Sequence, residues 1–189
     1  MSEVSKTLNM KMENGMTMVE LLITIVVVTI LLALGVPSFQ EFIKNNRLTA
    51  QTNDFVTAVQ LARSEAVKRG SFTTICASTD QEDCSGADDW TTGWIVFSDL
   101  NQDGVPDVGA SAPLCEETED CMIRTSGGLT KATLDGAGNV NIRFDPTGMS
   151  TNAAAVTFTM ESDDCKHEQV RDIQITKMGH MTVSKQACP

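Results

Sequence analysis

The sequence has no C-x-x-C pair, no G-x-S-x-G elbow, no P-loop lysine behind its glycine clusters, and only two histidines. Without the first, and with His167 and His180 not at ligand spacing, the common zinc patterns are excluded. Without the second, there is no motif that would activate a serine. "TSGGL" and "LDGAGN" then read as glycine turns rather than phosphate cradles, and no enzyme is expected. Basic residues are also scarce, 14 Lys+Arg against 25 Asp+Glu, a net charge of −11. The shortage is uneven. Residues 16–70 hold five basic and four acidic side chains, whereas residues 71–189 hold seven and 19, a net −12. That field favours solubility and works against generic phosphate binding.

Two further absences concern position. All six cysteines fall after residue 75, Cys76 being the first. An even set confined to one segment reads as disulfides formed in an oxidising compartment. From Leu21 to Gln40 there is no charged residue. Twenty such residues make a helix about 30 Å long, the thickness of a bilayer's hydrocarbon core. A buried helix of a soluble core would be apolar on one stripe, but this run is apolar all round. A cleaved secretory signal is excluded because the run is too long and no small-x-small site follows it. Lys6 and Lys11 before the run are balanced by Lys44 and Arg47 after it, so flanking charge does not orient it. The cysteines do, by requiring the C-terminal part to lie outside the cytoplasm.

Beyond Pro37, which can kink a helix without ending it, Leu48, Thr52, Phe55, Val59, Ala62 and Ala66 recur at helical spacing. Arg47, Asp54, Arg63, Glu65 and Lys68 fall mostly off that stripe. One face is thus made to lie on a sheet, and Gly70, after Lys68 and Arg69, closes the helix. A coiled-coil partner could use the same stripe, but three turns next to a β-rich region favour packing within the chain. Strands are expected at residues 72–77, 94–98, 140–145, 156–160, 171–176 and 180–184.

Gly15 followed by "MTMVELL" resembles the class III signal of type IV prepilins and type II secretion pseudopilins. The resemblance implies that a prepilin peptidase cuts between Gly15 and Met16 and that the new amine on Met16 is methylated. Glu20 then stands where that family keeps an assembly acid, able to meet the N-terminal amine of a neighbouring subunit. Mutual neutralisation would offset what each charge costs alone in a membrane. Met16 departs from the more usual phenylalanine. "VQLARSEAVKRG", "SFTTICAS" and "DDWTTGWIVFSDLNQDG" are similar to the signature of the GspH/FimT class of minor pilins and pseudopilins, the last to its Trp-rich hairpin.

That class implies an α+β, pilin-like fold: one long N-terminal transmembrane-plus-amphipathic helix packed on antiparallel β-sheet, with a disulfide-stapled C-terminal region. The expected organisation is a leader at 1–15, a transmembrane assembly helix at 16–39, an amphipathic helix at 40–70 and a periplasmic β-rich domain at 71–189. The expected partners are the prepilin peptidase, the inner membrane, and other minor and major pilins met through the N-terminal helix. The protein would be incorporated into a type IV pilus or the pseudopilus of type II secretion. Six cysteines allow fifteen connectivities. Proximity favours Cys76–Cys84, Cys115–Cys121 and Cys165–Cys188, the last matching the C-terminal staple of many pilins.

Two binding sites remain open. Asp99, Asn101, Asp103 and Asp107 occupy positions one, three, five and nine of an EF-type loop with Gly104 at six, a spacing that can hold calcium. Position twelve, however, is Ala110, no helix pair flanks the loop, and an Asx/Gly turn explains the same residues. FimT-like pilins of competent bacteria are associated with DNA uptake through C-terminal basic residues. Here the matching stretch offers Arg171, Lys177 and Lys185, with Gly179-His180-Met181-Thr182 in place of a Gly-Arg-x-Arg pattern. Nucleic acid is an unfavoured partner in so acidic a field.

Overall fold

A computed structural model describes residues 15–107 and 120–189. The chain divides into two units, the first ending at Phe42 and the second covering Ile43–Pro189. The expected boundaries at 39/40 and 70/71 do not coincide with this division, because the amphipathic half of the helix packs with the sheets.

The helix α1 spans Met18–Arg69 and continues through Pro37. In the first unit every described residue up to Phe42 is exposed. The hydroxyls of Thr24 and Thr29 are turned back on the helix. Thr24 donates to the Leu21 carbonyl at 2.7 Å, and Thr29 donates to those of Ile25 and Val26 at 3.0 and 2.8 Å. A helix in lipid must satisfy its polar groups internally in this way. By length and composition α1 can cross a membrane.

In the second unit, α1 buries Leu48, Thr52, Phe55, Ala58, Val59, Ala62, Glu65 and Ala66. The stripe includes Glu65, a residue the periodicity had set off the apolar face. Its burial is made tolerable by Arg69 and Lys68 one turn on, whose nitrogens reach its carboxylate at 2.7 and 3.1 Å. Gly70, at φ +65°, ends the helix in the left-handed conformation.

The antiparallel β-sheet expected is present as two four-stranded sheets. One has the order β3-β2-β1-β5, with β1 Thr73–Ala77, β2 Gly93–Ser98, β3 Cys121–Gly127 and β5 Asn141–Phe144. The other has the order β4-β6-β7-β8, with β4 Ala132–Asp135, β6 Val156–Ser162, β7 Val170–Ile175 and β8 Met181–Gln186. β3 and β4 are not among the expected strands, and their ends take in the first residues of "TSGGL" and "LDGAGN". Both are edge strands, half solvated, so their polar residues do not interrupt the pairing.

The core joins helix and both sheets through aromatic rings. Phe55 stands 5.7 Å from Trp90, 5.3 Å from Trp94 and 5.0 Å from Phe158, and Trp90 stands 5.1 Å from Phe158. Trp90 is tied to residues beyond the Trp-rich segment. Its backbone N–H donates to the Leu134 carbonyl at 2.9 Å, its indole N–H donates to the Asn139 carbonyl at 2.8 Å, and Asp89 bridges Asp135. The chain then turns at Gly93, φ +127°, and enters β2, which pairs with β1 and β3. The indole is thereby tied to the β4–β5 side while its body fills the core. A second small cluster of Cys76, Ile95 and Phe97 is covered by Cys84 and Met122.

Disulfides join Cys76 to Cys84 and Cys165 to Cys188, with Cα–Cα distances of 5.6 and 5.8 Å. Cys121 is also disulfide-bonded. The expected Cys115–Cys121 bridge has one end, Cys115, outside the described residues, as does the leader at 1–14.

Candidate functional site

At the start of α1, Thr17 lies just outside the helix, and its Oγ1 accepts a hydrogen bond from the Glu20 backbone N–H at 3.2 Å. Thr17-Met18-Val19-Glu20 therefore fits the spacing of a capping box, a local role for Glu20 that the sequence reading had missed. An acid in the first turn also suits the helix dipole. Glu20 is exposed, and its carboxylate makes no ion pair among the described residues. Gly15 has open space around it, and Met16 is exposed.

The loop after β2 begins at Asp99, which is fully buried. Its Oδ2 accepts from the Thr74 hydroxyl at 2.6 Å and meets Arg143 Nε at 2.9 Å. Its Oδ1 is buried without a partner. Further along, the Asn101 side-chain amide donates to Asp103 Oδ2 at 2.8 Å and to Asp107 Oδ2 at 2.9 Å. The structure thus gathers Asn101, Asp103 and Asp107 while Asp99 is held from the sheet side. Asp120, absent from the sequence-derived set, joins the loop. Its carboxylate accepts from the backbone N–H groups of Leu100 and Asp107 at 2.8 and 3.2 Å. Burial first, and then the nearby charges of Asp99 and Asp107, push its pKa up against those two bonds. Among the described residues no three carboxylate, thiol or imidazole groups stand at metal-binding distance of one point.

The three cations considered for DNA do not form a patch. Arg171 is buried: its Nη1 donates to the Glu168 and Val170 carbonyls at 2.7 and 2.9 Å, and its Nη2 donates to Asn45 Oδ1 at 2.7 Å. It clamps α1 to β7 and is closed to a phosphate, which corrects its reading as a contact residue. Lys177 and Lys185 are exposed at opposite ends of β8, one in the turn before it and one near its end. A hollow of about 560 Å³ between α1 and that turn is lined by Arg63, Lys68 and His180 among others. Arg63 Nε is committed to the Gly148 carbonyl at 2.9 Å and Lys68 to Glu65.

Residues 51–179 match the family described as type II transport protein GspH. The chain belongs to that family. Residues 10–36 match the prokaryotic N-terminal methylation motif, which takes in the start of the apolar helix. The fold is similar to the crystal structure of the type IV minor pilin FimU of Pseudomonas aeruginosa, with TM-score 0.55 and 22% identity. That likeness covers 78% of this chain and 99% of the other. The type IV major fimbrial protein FimA of Dichelobacter nodosus is 23% identical over 136 residues, 66% of this chain and 77% of that protein. The minor pseudopilin EpsH of Vibrio cholerae is similar at TM-score 0.46 and 12% identity, over 74% and 97% of the two chains.

Proposed function

We propose that this protein is a minor pilin taking part in the assembly, initiation or tip complex of a type IV pilus. A prepilin peptidase removes residues 1–15, and Met16 becomes the methylated N-terminus. Residues 16–39 hold the subunit in the bacterial inner membrane with its disulfide-bonded domain in the periplasm. The same helix then packs among the helices of other minor and major pilins, where Glu20 meets a neighbour's terminal amine. One observation carries this reading: up to Phe42 the apolar helix is exposed on every side, and none of its residues is buried among the described residues. Such a surface belongs in lipid or in a bundle of like helices.

The family's own description, type II transport, favours a second home in the secretion pseudopilus, built by the same steps. Mass spectrometry of the N-terminus, on protein from membranes of a peptidase-positive host, tests the processing on which both depend. A chain beginning at methylated Met16 is expected. An intact Met1 start would refute the reading, and Gly15→Leu should leave only precursor. Capture of partners by the mature protein, identified as pilus or secretion components, separates the two homes.

A further inference from the structure

We propose that the outer edge of β8, with the hollow beside it, is a docking site for an extended acidic segment of another pilin subunit. β8 is the last strand of its sheet, and among the described residues no strand pairs with its outer side. The sheet's other edge, at β4, is bridged by Asp89. From Thr182 to Gln186 every residue of β8 is exposed, and Met181 is half-buried. The Thr176 N–H donates to the His180 carbonyl at 2.9 Å, which sets the alternation of the β7–β8 ladder. By that alternation Thr182, Ser184 and Gln186 bond to β7, whereas Met181, Val183 and Lys185 turn their N–H and C=O groups outward. Such an open row adds a strand through its main chain, and the side chains along it choose which strand.

Charge selects the occupant. Residues 71–189 hold 19 acidic side chains, yet no Asp or Glu occurs from Ile173 to Pro189, where Lys177, His180 and Lys185 stand. Lys185 lies directly opposite Arg171 in the ladder, and like charges so placed are destabilising. Arg171 is bonded to two carbonyls and to Asn45, and neither cation has an ion pair with a carboxylate among the described residues. At the other end of β8 the hollow of about 560 Å³ presents Arg63, Lys68 and His180 beside the apolar Val67 and Met181. Val183, 45% exposed, lies between the two ends. The fitting occupant is therefore a strand with an apolar middle and carboxylates toward both ends. A second copy of β8 would set lysine near lysine, and nucleic acid supplies charge but no strand. The inference rests on the assembly reading and adds the surface by which the domain chooses a neighbour.

The test places a benzoylphenylalanine crosslinker at Ser184, exposed on β8, in the full chain within membranes of a host that makes the other pilins. Mass spectrometry should map the product to an acidic segment of another pilin subunit, and the same group at Gln102, on the loop after β2, should not give it. Lys177→Glu combined with Lys185→Glu, both at exposed positions, should lower the yield at least about tenfold, and lysines at the mapped acids should restore it. Val183→Pro removes an outward N–H while sparing the bonds to β7, and should lower the yield as well. The charge reversal decides the matter even where Val183→Pro weakens β8. A crosslink to a second copy of this chain, a product removed by DNase, or a yield indifferent to the charge reversal would overturn the proposal. So would the absence of any product from a chain with a correctly processed N-terminus, a result that leaves the filament reading standing. An intact leader would overturn both.

Discussion

Replacing Glu20 by glutamine separates the two roles this acid can have. Thr17 and Glu20 hold capping-box spacing, and the Glu20 N–H donates to Thr17 Oγ1 at 3.2 Å. Glutamine serves at that position as well as glutamate, so the helix start should lose almost nothing, whereas alanine should cost about 0.5–1 kcal/mol. The charge is a separate matter. A lone acid in the middle of a spanning helix costs about 2.5–3.5 kcal/mol, less near an interface, so pairing with a neighbour's amine has a penalty of that order to offset. Removing one member of such a pair leaves the amine uncompensated, and breaking a buried pair costs about 3–5 kcal/mol. At about 1.4 kcal/mol per tenfold, incorporation of Glu20→Gln beside competing wild-type subunits should fall at least a hundredfold. The assay is co-purification of the tagged variant with other pilins, with its N-terminus checked by mass spectrometry so that failed processing is not mistaken for failed assembly. Processed Glu20→Gln that incorporates normally while Glu20→Ala does not would refute the pairing and leave Glu20 as a helix cap.

Three more outcomes follow from the periplasmic domain, each read by thermal unfolding of the full chain. Glu65 has its pKa lowered from 4.5, first by the hydrogen bond from Arg69 and, after an opposing burial effect, by that from Lys68. A depressed folded pKa contributes stability that is present above pH 4.5 and lost as pH falls through the folded value. Glu65→Gln should therefore cost about 1–2 kcal/mol at neutral pH, and its deficit should vanish in acid; a deficit that persists there would assign the effect to packing. Phe55 touches Trp90, Trp94 and Phe158, so Phe55→Ala should cost about 3–5 kcal/mol and Phe55→Leu clearly less. The Cys165–Cys188 bridge closes 23 residues around β7 and β8, and replacing both cysteines by serine should cost about 3 kcal/mol. A Tm unchanged in either case would contradict the assigned contacts.

What was legible in the sequence was what repeats or stands alone. Leu48 to Ala66 recur at steps of three and four, and that period fixes which face of α1 meets the sheets. The uncharged run with its single acid marked the membrane segment, because few other structures can bury twenty such residues on all sides. What was hidden depends on partners distant in sequence. Glu65 is buried because α1 carries its counter-charges along, which a binary pattern cannot register. β3 and β4 are edge strands, where one solvated side admits the polar residues that had suggested turns. Arg171 looked available to a phosphate, but β7 turns it inward to Asn45, 126 residues earlier.

The acidic loop shows the same limit in its sharpest form. Counting along the chain stops at residue 110 and finds alanine, so the loop looks one ligand short of a metal site. The fold brings in Asp120 from the far side of β2, where the start of β3 pairs with Ser98. Its carboxylate is held by two backbone N–H groups of the loop itself, so the acid that spacing could not find is a fixed part of the turn.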